Sequence, residues 1–540
     1  MTAAKVTDRS FLLWALALAA GAAAIAAAGL APQALFPSDT ANYLDICYQS
    51  ARGLRLDGDF LSPIGPAAIL PTTLAMRLGL VSANALVAGS VLAWLGYGSV
   101  AWLVARPRMP GAIALGFALF AAGTAAAPYT LDFGRWHVLS YGMLYNRLAW
   151  AAVAIAASSL LAARDQTRLA AAWGAAGHGL CAAWLWAIKP NFLLILAPLS
   201  LCSLLGAGRR GAAGWLGRFV LGAIATLALV ALVVPFDPWD CVQEHLHMGE
   251  AAPVGLLLGA LRRALKENAL PVTVLLGGWL IASAALRRAA SRAAAIRRLG
   301  LVVALIGAGF IANMVNCQYA EIPLWGALGW ILAADLTAGA PQGWSLLAVA
   351  IGLGLGLAYT WQPVTSIAYA LAWKRLSHSH AAVAEVATPA WAGLPLCYAP
   401  GAPALSPAAA ANGAVLSPGD FADWLNDGLQ LAARVRPVHG AVLCLDWGNP
   451  FSFALGSPPV PGDLTAWSIG RQVDARHLPA ADRLLAGAAL VMEPRQSIQP
   501  QALAFKQALF AAGLKRDFVL AAETGYWRAW VRAPGVPASP

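Results

Sequence analysis

The chain has 540 residues, of which 59% are hydrophobic and 11% charged, whereas soluble domains carry about 25% charged residues. That composition excludes an ordinary soluble enzyme and marks a membrane protein. The formal charge of +11, from 36 basic and 25 acidic residues, acquires meaning only when assigned to loops, because Lys and Arg set orientation while acidic residues contribute little.

A crossing helix needs about 20 apolar residues. Roughly eleven such runs are predicted, near 11–31, 83–105, 110–128, 146–163, 169–188, 191–207, 219–235, 270–286, 299–316, 322–338 and 344–361. The first is too long and alanine-rich for a typical signal peptide and reads as a retained span. With the N-terminus in the cytoplasm, alternate connections carry 14 basic residues, from Lys5 and Arg9 through Arg297 and Arg298, against Asp8, Asp165 and Asp335. The opposite connections hold nine basic and eleven acidic residues. This asymmetry predicts a cytoplasmic N-terminus, and an odd number of spans then leaves the C-terminal part outside. The basicity is a topology signal and gives no support to a nucleic-acid partner.

The expected organisation is a transmembrane part at 1–361, including a long first outer loop at 32–82, and an outer α/β module at 362–540. The fold class is thus a polytopic α-helical membrane protein of about eleven spans with a soluble module on the outer face, as in a bacterial inner membrane protein with a periplasmic domain.

In chain order, the first outer loop reads FPSDTANYLDICYQSARGLRLDGDFLSPIGP. A loop this long between early spans points to function. Asp39 follows the first span, where an ionisable group is costly unless it lines a watery cavity, and it also suits the N-cap of a short helix. The next outer segment, PYTLDFGRWHVLSYGMLYNRL, gathers Asp132, Arg135, His137, Tyr141, Tyr145, Asn146 and Arg147. Arg grips phosphate oxygens in a planar fork, and Arg147 with Asn146 stands where an apolar helix begins; the plainer reading is a solvated loop with interfacial aromatics. Lys189 ends a span in WLWAIKPNF, beside a proline that breaks the helix, either as a snorkelling cation or as a phosphate contact. The segment FDPWDCVQEHLHMGEAAP brings His245 and His247 near Glu244, a weak divalent-metal pattern without HExxH or paired CxxC spacing; an ordinary polar loop is the favoured reading, with no metal ligand assigned. In NCQYAEIPL, Gln318 and Tyr319 precede Glu321, which stands before a proline at a span start.

The outer module is expected to have strands at 441–445, 488–492, 518–521 and 527–531 and helices at 419–434 and 499–513. Asp446, Trp447, Asn449 and Phe451 follow the first strand, as an acceptor-facing loop or, favoured by the Asn-Pro turn signal, as a strand-end turn packed on the membrane part. Of the seven cysteines, those on the outer face are allowed disulfides, a Cys397–Cys444 bridge among them. There is no Walker A, GxSxG or zincin motif, and the glycines of AIGLGLGLA suit helix packing.

A first span leading into a long outer loop with Asp39, the element GLRLDGDFLSPIGP, about ten further spans and an outer α/β module resemble the GT-C superfamily of polyprenyl-phosphate-sugar-dependent glycosyltransferases. The resemblance implies Asp39 as catalytic base. Members often carry a second acid beside it, whereas Thr40 stands here, which leaves Asp132 or Glu321 as the supporting acid. The KPNF element is similar to the Lys-Pro motif of related enzymes, implying Lys189 near the donor phosphate. Together these place Lys189, Arg135 and Arg147 on the phosphate and His137, Tyr145, Asn146, Gln318 and Tyr319 on substrate. The implied activity is inverting transfer of a sugar from a polyprenyl-phosphate donor to a glycan, lipid or protein acceptor. A lipid or solute transporter, or a non-catalytic glycan-binding relative, are the alternatives.

Overall fold

The computed structural model describes residues 9–31, 37–80, 82–129, 131, 139–158, 168–243, 254–289, 292–316, 321–337, 343–376, 383–385, 395–397, 418–435, 440–469, 473 and 478–535. Its helices are α1 (Arg9–Ala28), α2 (Pro37–Ala51), α3 (Pro66–Arg77), α4 (Ser82–Ala105), α5 (Gly111–Ala126), α6 (Leu144–Ala157), α7 (Arg168–Ile188), α8 (Leu193–Val233), α9 (Val254–Ala289), α10 (Arg292–Val315), α11 (Leu324–Thr337) and α12 (Trp344–Leu376). Six helical stretches among the described residues are long and apolar enough to cross a membrane, and five shorter apolar helices accompany them. The chain is thus a predominantly helical integral membrane protein.

Helix α8 covers most of both apolar runs expected at 191–207 and 219–235. Its 41 residues do not run straight, because Trp215 Nε1 donates to Ser203 Oγ at 3.0 Å, and twelve residues of straight helix would separate them by about 18 Å. The two arms fold back on each other. The segment expected at 32–82 carries α2, the short helix expected to start at Asp39, and α3. Helix α12 runs through residue 362 and ends at Leu376. Its glycines pack: a Cβ on Gly352 would stand 2.7 Å from the Gly329 carbonyl oxygen on α11, so the two backbones approach as small residues permit.

After a short antiparallel pair, β1 (Val383–Glu385) with β2 (Pro395–Cys397), come α13 (Pro418–Val435), β3 (Ala441–Cys444), α14 (Phe451–Leu455), α15 (Ala481–Gly487), β4 (Ala488–Pro494), α16 (Pro500–Asp517), β5 (Phe518–Glu523) and β6 (Trp527–Arg532). The sheet order is β3-β4-β6-β5, with β3 and β4 parallel and the other pairs antiparallel. Strand alternation gives it two buried faces. Leu443, Val491 and Phe510 share one core with Trp467, while Val442, Cys444, Met492 and Trp527 join a core continuous with the membrane helices. The second core explains a correction: Cys444 is a free, fully buried thiol, so the Cys397–Cys444 bridge does not form, and the cysteine serves as a small packing residue.

The element GLRLDGDFLSPIGP is a clasp. Leu56 N–H donates to Pro235 O at 2.9 Å, Gly462 N–H to Asp59 O at 3.1 Å, Leu61 N–H to Asp463 O at 3.0 Å, Thr465 N–H to Leu61 O at 2.9 Å, and Gly65 N–H to Ile188 O at 3.2 Å. One segment thereby ties α3, the end of α7, the segment after α8 and the sheet module together. Asp57 turns the clasp with a positive φ of 61°, a conformation Asp tolerates, and its Oδ1 accepts from Ser62 N–H at 3.2 Å.

Candidate active site

Helix α2 begins with Pro37, whose fixed φ suits the first turn, followed by Ser38 and Asp39. Asp39 therefore lies inside the first turn and is not the cap. A carboxylate there is favoured by the helix dipole by about 0.3–1 kcal/mol. It is half-buried. One turn on, Tyr43 shares its face and is buried, its hydroxyl donating to Ala68 O at 3.1 Å and meeting Thr72 Oγ1 at 3.1 Å.

Helix α6 starts after Met143, which holds φ at 55°, a left-handed conformation that strains a residue other than glycine by about 1–3 kcal/mol. The turn it makes delivers Asn146 and Arg147 into the interior, each 1% exposed. Among the described residues none of the three Arg147 guanidinium nitrogens has a hydrogen-bond partner, and neither has Asn146 Oδ1. Arg147 lies over the Tyr129 ring at 5.4 Å and within electrostatic reach of the Tyr141 and Tyr43 phenols. Burial keeps all three phenols neutral, raising their pKa values against the opposing Arg147 charge; Tyr141 is pushed up to about 12. An aromatic box can favour a cation through its ring faces, but phenols offer no countercharge.

Lys189 is extended between α7 and a 3-10 turn at Pro190–Phe192, as the helix break at Pro190 requires. Its ammonium lies 4.9 Å from the Tyr145 ring centre, and Phe192 of the same turn meets Trp150 edge-on at 5.0 Å. Both cations thus reach the start of α6. Positions 145 and 147 point about 200° apart around a helix, so Lys189 and Arg147 flank that turn from different faces. Gly65 permits the assembly: a Cβ there would stand 2.2 Å from Ala187 O.

Glu321 is half-buried before α11. Its N–H donates to Leu131 O at 2.8 Å, and its Oε1 accepts from Gln362 Nε2 at 2.6 Å. Burial pushes the carboxyl up to about 7, with the Gln362 donor opposing. Glu321 and Arg147 both act on Tyr129, the Glu321 charge raising that phenol's pKa and the Arg147 charge lowering it. A carboxyl titrating there is poised for general acid–base work near neutral pH. Asp132, Arg135, His137, Gln318 and Tyr319, and with them Glu244, His245 and His247, lie outside the described residues. No group of three metal-ligating side chains is present among the described ones.

The seam between α2 and the sheet module holds residues that composition alone did not single out. Asp45 is 4% exposed and accepts from Gln49 Nε2 at 3.2 Å. Burial pushes its carboxyl up to about 7, the Gln49 donor opposing, the Asp463 charge raising it further and the Phe453 N–H lowering it. Asp463 accepts from Trp467 Nε1 at 3.0 Å, and Lys506, 1% exposed, donates to Cys444 O at 2.8 Å. Burial raises the Asp463 carboxyl and lowers the Lys506 ammonium, each charge opposing the other's shift. The signal for Asp45 was its i+4 spacing to Gln49 on a helical face that also carries Asn42 and Tyr48.

Near Asp39, a shallow, solvent-open depression lies between the first turns of α2 and the segment after β3, lined by Ser38, Asn42, Phe421, Trp447, Asn449 and Ile498 among others. Asp446 and Asn449 hold the turn that shapes it. Asp446 accepts from Trp447 N–H at 2.7 Å, Ser497 Oγ at 2.7 Å and Ile498 N–H at 3.0 Å, and Asn449 Nδ2 donates to Val442 O at 2.6 Å.

No family model matches the chain, and no curated protein does. Two crystal structures of ArnT from Cupriavidus metallidurans are similar to it. The one bound to undecaprenyl phosphate has a TM-score of 0.47 at 12% identity, over 99% of this chain and 100% of that chain. The apo structure has a TM-score of 0.45 at 12% identity, over 98% and 99%. The site described above is defined by this chain's own residues.

Proposed function

We propose that the chain is an integral-membrane glycosyltransferase of the GT-C kind, moving a sugar from a polyprenyl-phosphate donor to an acceptor hydroxyl at the outer face. The carrying observation is Arg147. A guanidinium 1% exposed with three unpartnered nitrogens among the described residues costs several kcal/mol to bury, and a phosphate monoanion or diester is the partner its fork fits. The isoprenoid tail would lie among the apolar helices, with the phosphate at the start of α6 and Lys189 on its flank.

In the proposed step the acceptor hydroxyl attacks the anomeric carbon from the face opposite the phosphate. Its proton passes to the Asp39 carboxylate as the new C–O bond forms. The anomeric carbon–phosphate oxygen bond breaks, its electron pair leaves with the polyprenyl phosphate, and Arg147 takes up the added charge. The configuration inverts. Glu321 is the proposed second acid, with Asp132 next to its Leu131 anchor in sequence; Tyr145 and Asn146 line the donor side, and Arg135, His137, Gln318 and Tyr319 belong to the same proposal. The proposed topology has eleven crossings, an inside N-terminus and an outer module that begins after Leu376.

The test uses purified full-length protein with undecaprenyl phosphate and with polyprenyl-phosphate-linked radiolabelled sugars. Undecaprenyl phosphate should bind, and Arg147→Met should weaken it at least tenfold without lowering the thermal midpoint of the empty protein, because it removes a buried charge that has no hydrogen-bond partner among the described residues. Unchanged binding in Arg147→Met removes the carrying observation. Asp39→Asn should abolish sugar transfer and keep donor binding; full transfer in that variant removes Asp39 as base.

A further inference from the structure

Helix α9 starts about four turns before the apolar run expected at 270–286, and this arm carries three different stripes. At about 100° per residue, Ala260, Ala264 and Asn268 form the first, and all three are buried. Ala264 belongs to the core of the membrane helices and Leu261 packs against it. Asn268 Oδ1 accepts from Trp325 Nε1 at 2.8 Å, in the first turn of α11, which fixes the inner end of the arm where a neighbouring span begins. Pro271, which cannot donate back to Glu267, separates the arm from its own span. The second stripe is Val254, Leu258 and Leu265, within about 40° of one another; all are exposed, Leu258 by 59% and Leu265 by 48%. Beside it lie the exposed cations Arg262, Lys266 and Arg263, with Glu267 within electrostatic reach of the last two. Arg262, Lys266 and Leu270 are successive members of one i, i+4 row, so charge gives way to an exposed leucine as the row nears the span. Lys266 and Arg262 stand about 3 and 9 Å outward of Asn268 along the axis. Headgroup layers bring a hydrocarbon core of about 30 Å to about 40–45 Å in total, and cations at that height meet one of these layers.

We propose that the arm lies in the headgroup layer and docks an anionic phospholipid of the bilayer. Arg262 and Lys266 take its phosphate, Leu258 and Leu265 lie against its acyl chains, and the cation stems run along the apolar stripe. A basic face beside an apolar one is the pattern that binds an anionic membrane surface. A second copy using the same face would set these cations against their own counterparts, whereas a lipid phosphate complements them. The leaflet follows from the proposed topology, and the site is independent of Arg147 and of sugar transfer.

Full-length protein in a neutral detergent is titrated with phosphatidylglycerol and with phosphatidylcholine of the same chain length, and native mass spectrometry counts the bound lipid. Phosphatidylglycerol should bind at least tenfold tighter at low salt, and about 0.5 M NaCl should reduce that preference at least threefold, since exposed charges are screened. Arg262→Gln with Lys266→Gln should cut the preference at least fivefold while phosphatidylcholine binding, undecaprenyl phosphate binding and the lipid-free thermal midpoint stay as in the parent. Leu258→Ser with Leu265→Ser should weaken both phospholipids alike. Inorganic phosphate should not displace phosphatidylglycerol; displacement would assign a free-anion site and overturn the lipid. Absence of a preference, a preference indifferent to salt, or one retained in the double glutamine variant overturns the proposal as well. So does loss of undecaprenyl phosphate in that variant with phosphatidylglycerol unchanged, which would give the stripe to the donor. Failure of undecaprenyl phosphate to bind the parent, with the phosphatidylglycerol preference intact, supports the arm and is a separate failure of the donor reading.

Discussion

Two carboxyls set the expected pH response at the residue scale. Asp45 and Glu321 are both pushed up to about 7 by burial, whereas in an unfolded chain such groups ionise near their ordinary values of 3.8 and 4.5. Between those limits the folded protein binds more protons than the unfolded one, so stability falls as pH rises through the window. The contribution is complete below the ordinary carboxylate range and gone above about pH 7. Asp45→Asn keeps an acceptor for Gln49 and should flatten the decline of the thermal midpoint between about pH 4 and 7. A midpoint profile parallel to that of the parent would show that Asp45 does not titrate in this range. Asp45 itself was readable as a polar residue on a helix, but its burial depends on Phe453 and Asp463, some 400 residues away in sequence.

Among elements, the junction of α3 with the end of α7 is the most exacting. Gly65 gives its N–H to Ile188 O and leaves no room for a side chain against Ala187 O. Gly65→Ala should therefore separate the clasp from the Lys189 turn, lowering stability by about 1–3 kcal/mol as overpacking does. It should also weaken undecaprenyl phosphate binding although it touches no proposed ligand atom. A variant with parental melting and binding would show that the junction relaxes without cost. The sequence displayed both halves, as SPIGP and KPNF, and it predicted the helix break from the proline. That the two motifs meet is a property of chain crossing, which local pattern does not encode. Likewise the hairpin inside α8 left two apolar runs in the sequence, while helical backbone persists through the Arg-containing link.

For the whole molecule, the sheet module is joined to the membrane helices through one continuous core and through the clasp, with Arg52 Nη1 donating to Gly456 O at 3.1 Å and Tyr48 meeting Phe453 at 5.4 Å between ring centres. The proposed topology predicts opposite accessibilities for two exposed positions, Arg9 and Gly525. In a background with Cys202, Cys317 and Cys397 replaced by Ser, Gly525→Cys should react with a membrane-impermeant maleimide in spheroplasts, and Arg9→Cys only after lysis. The reverse pattern would invert the orientation drawn from the loop charges.

Composition and apolar run length determined that the chain is a helical membrane protein, because the hydrocarbon core imposes one length and one polarity on every crossing. Period-two and helical patterns likewise located β3, β4, β5, β6, α13 and α16 within a few residues. The sequence also named Arg147, Lys189, Asp39 and Glu321 as ionisable groups at span ends. Only the tertiary structure decided which of them are paired. It buried Arg147 among three tyrosines from separate segments, put Lys189 on another face of the same turn, and set Asn42 against Trp447 across the seam. Burial and pairing are sums over residues distant in the chain, so the cost of an orphaned charge or carbonyl exists only once those residues have been brought together.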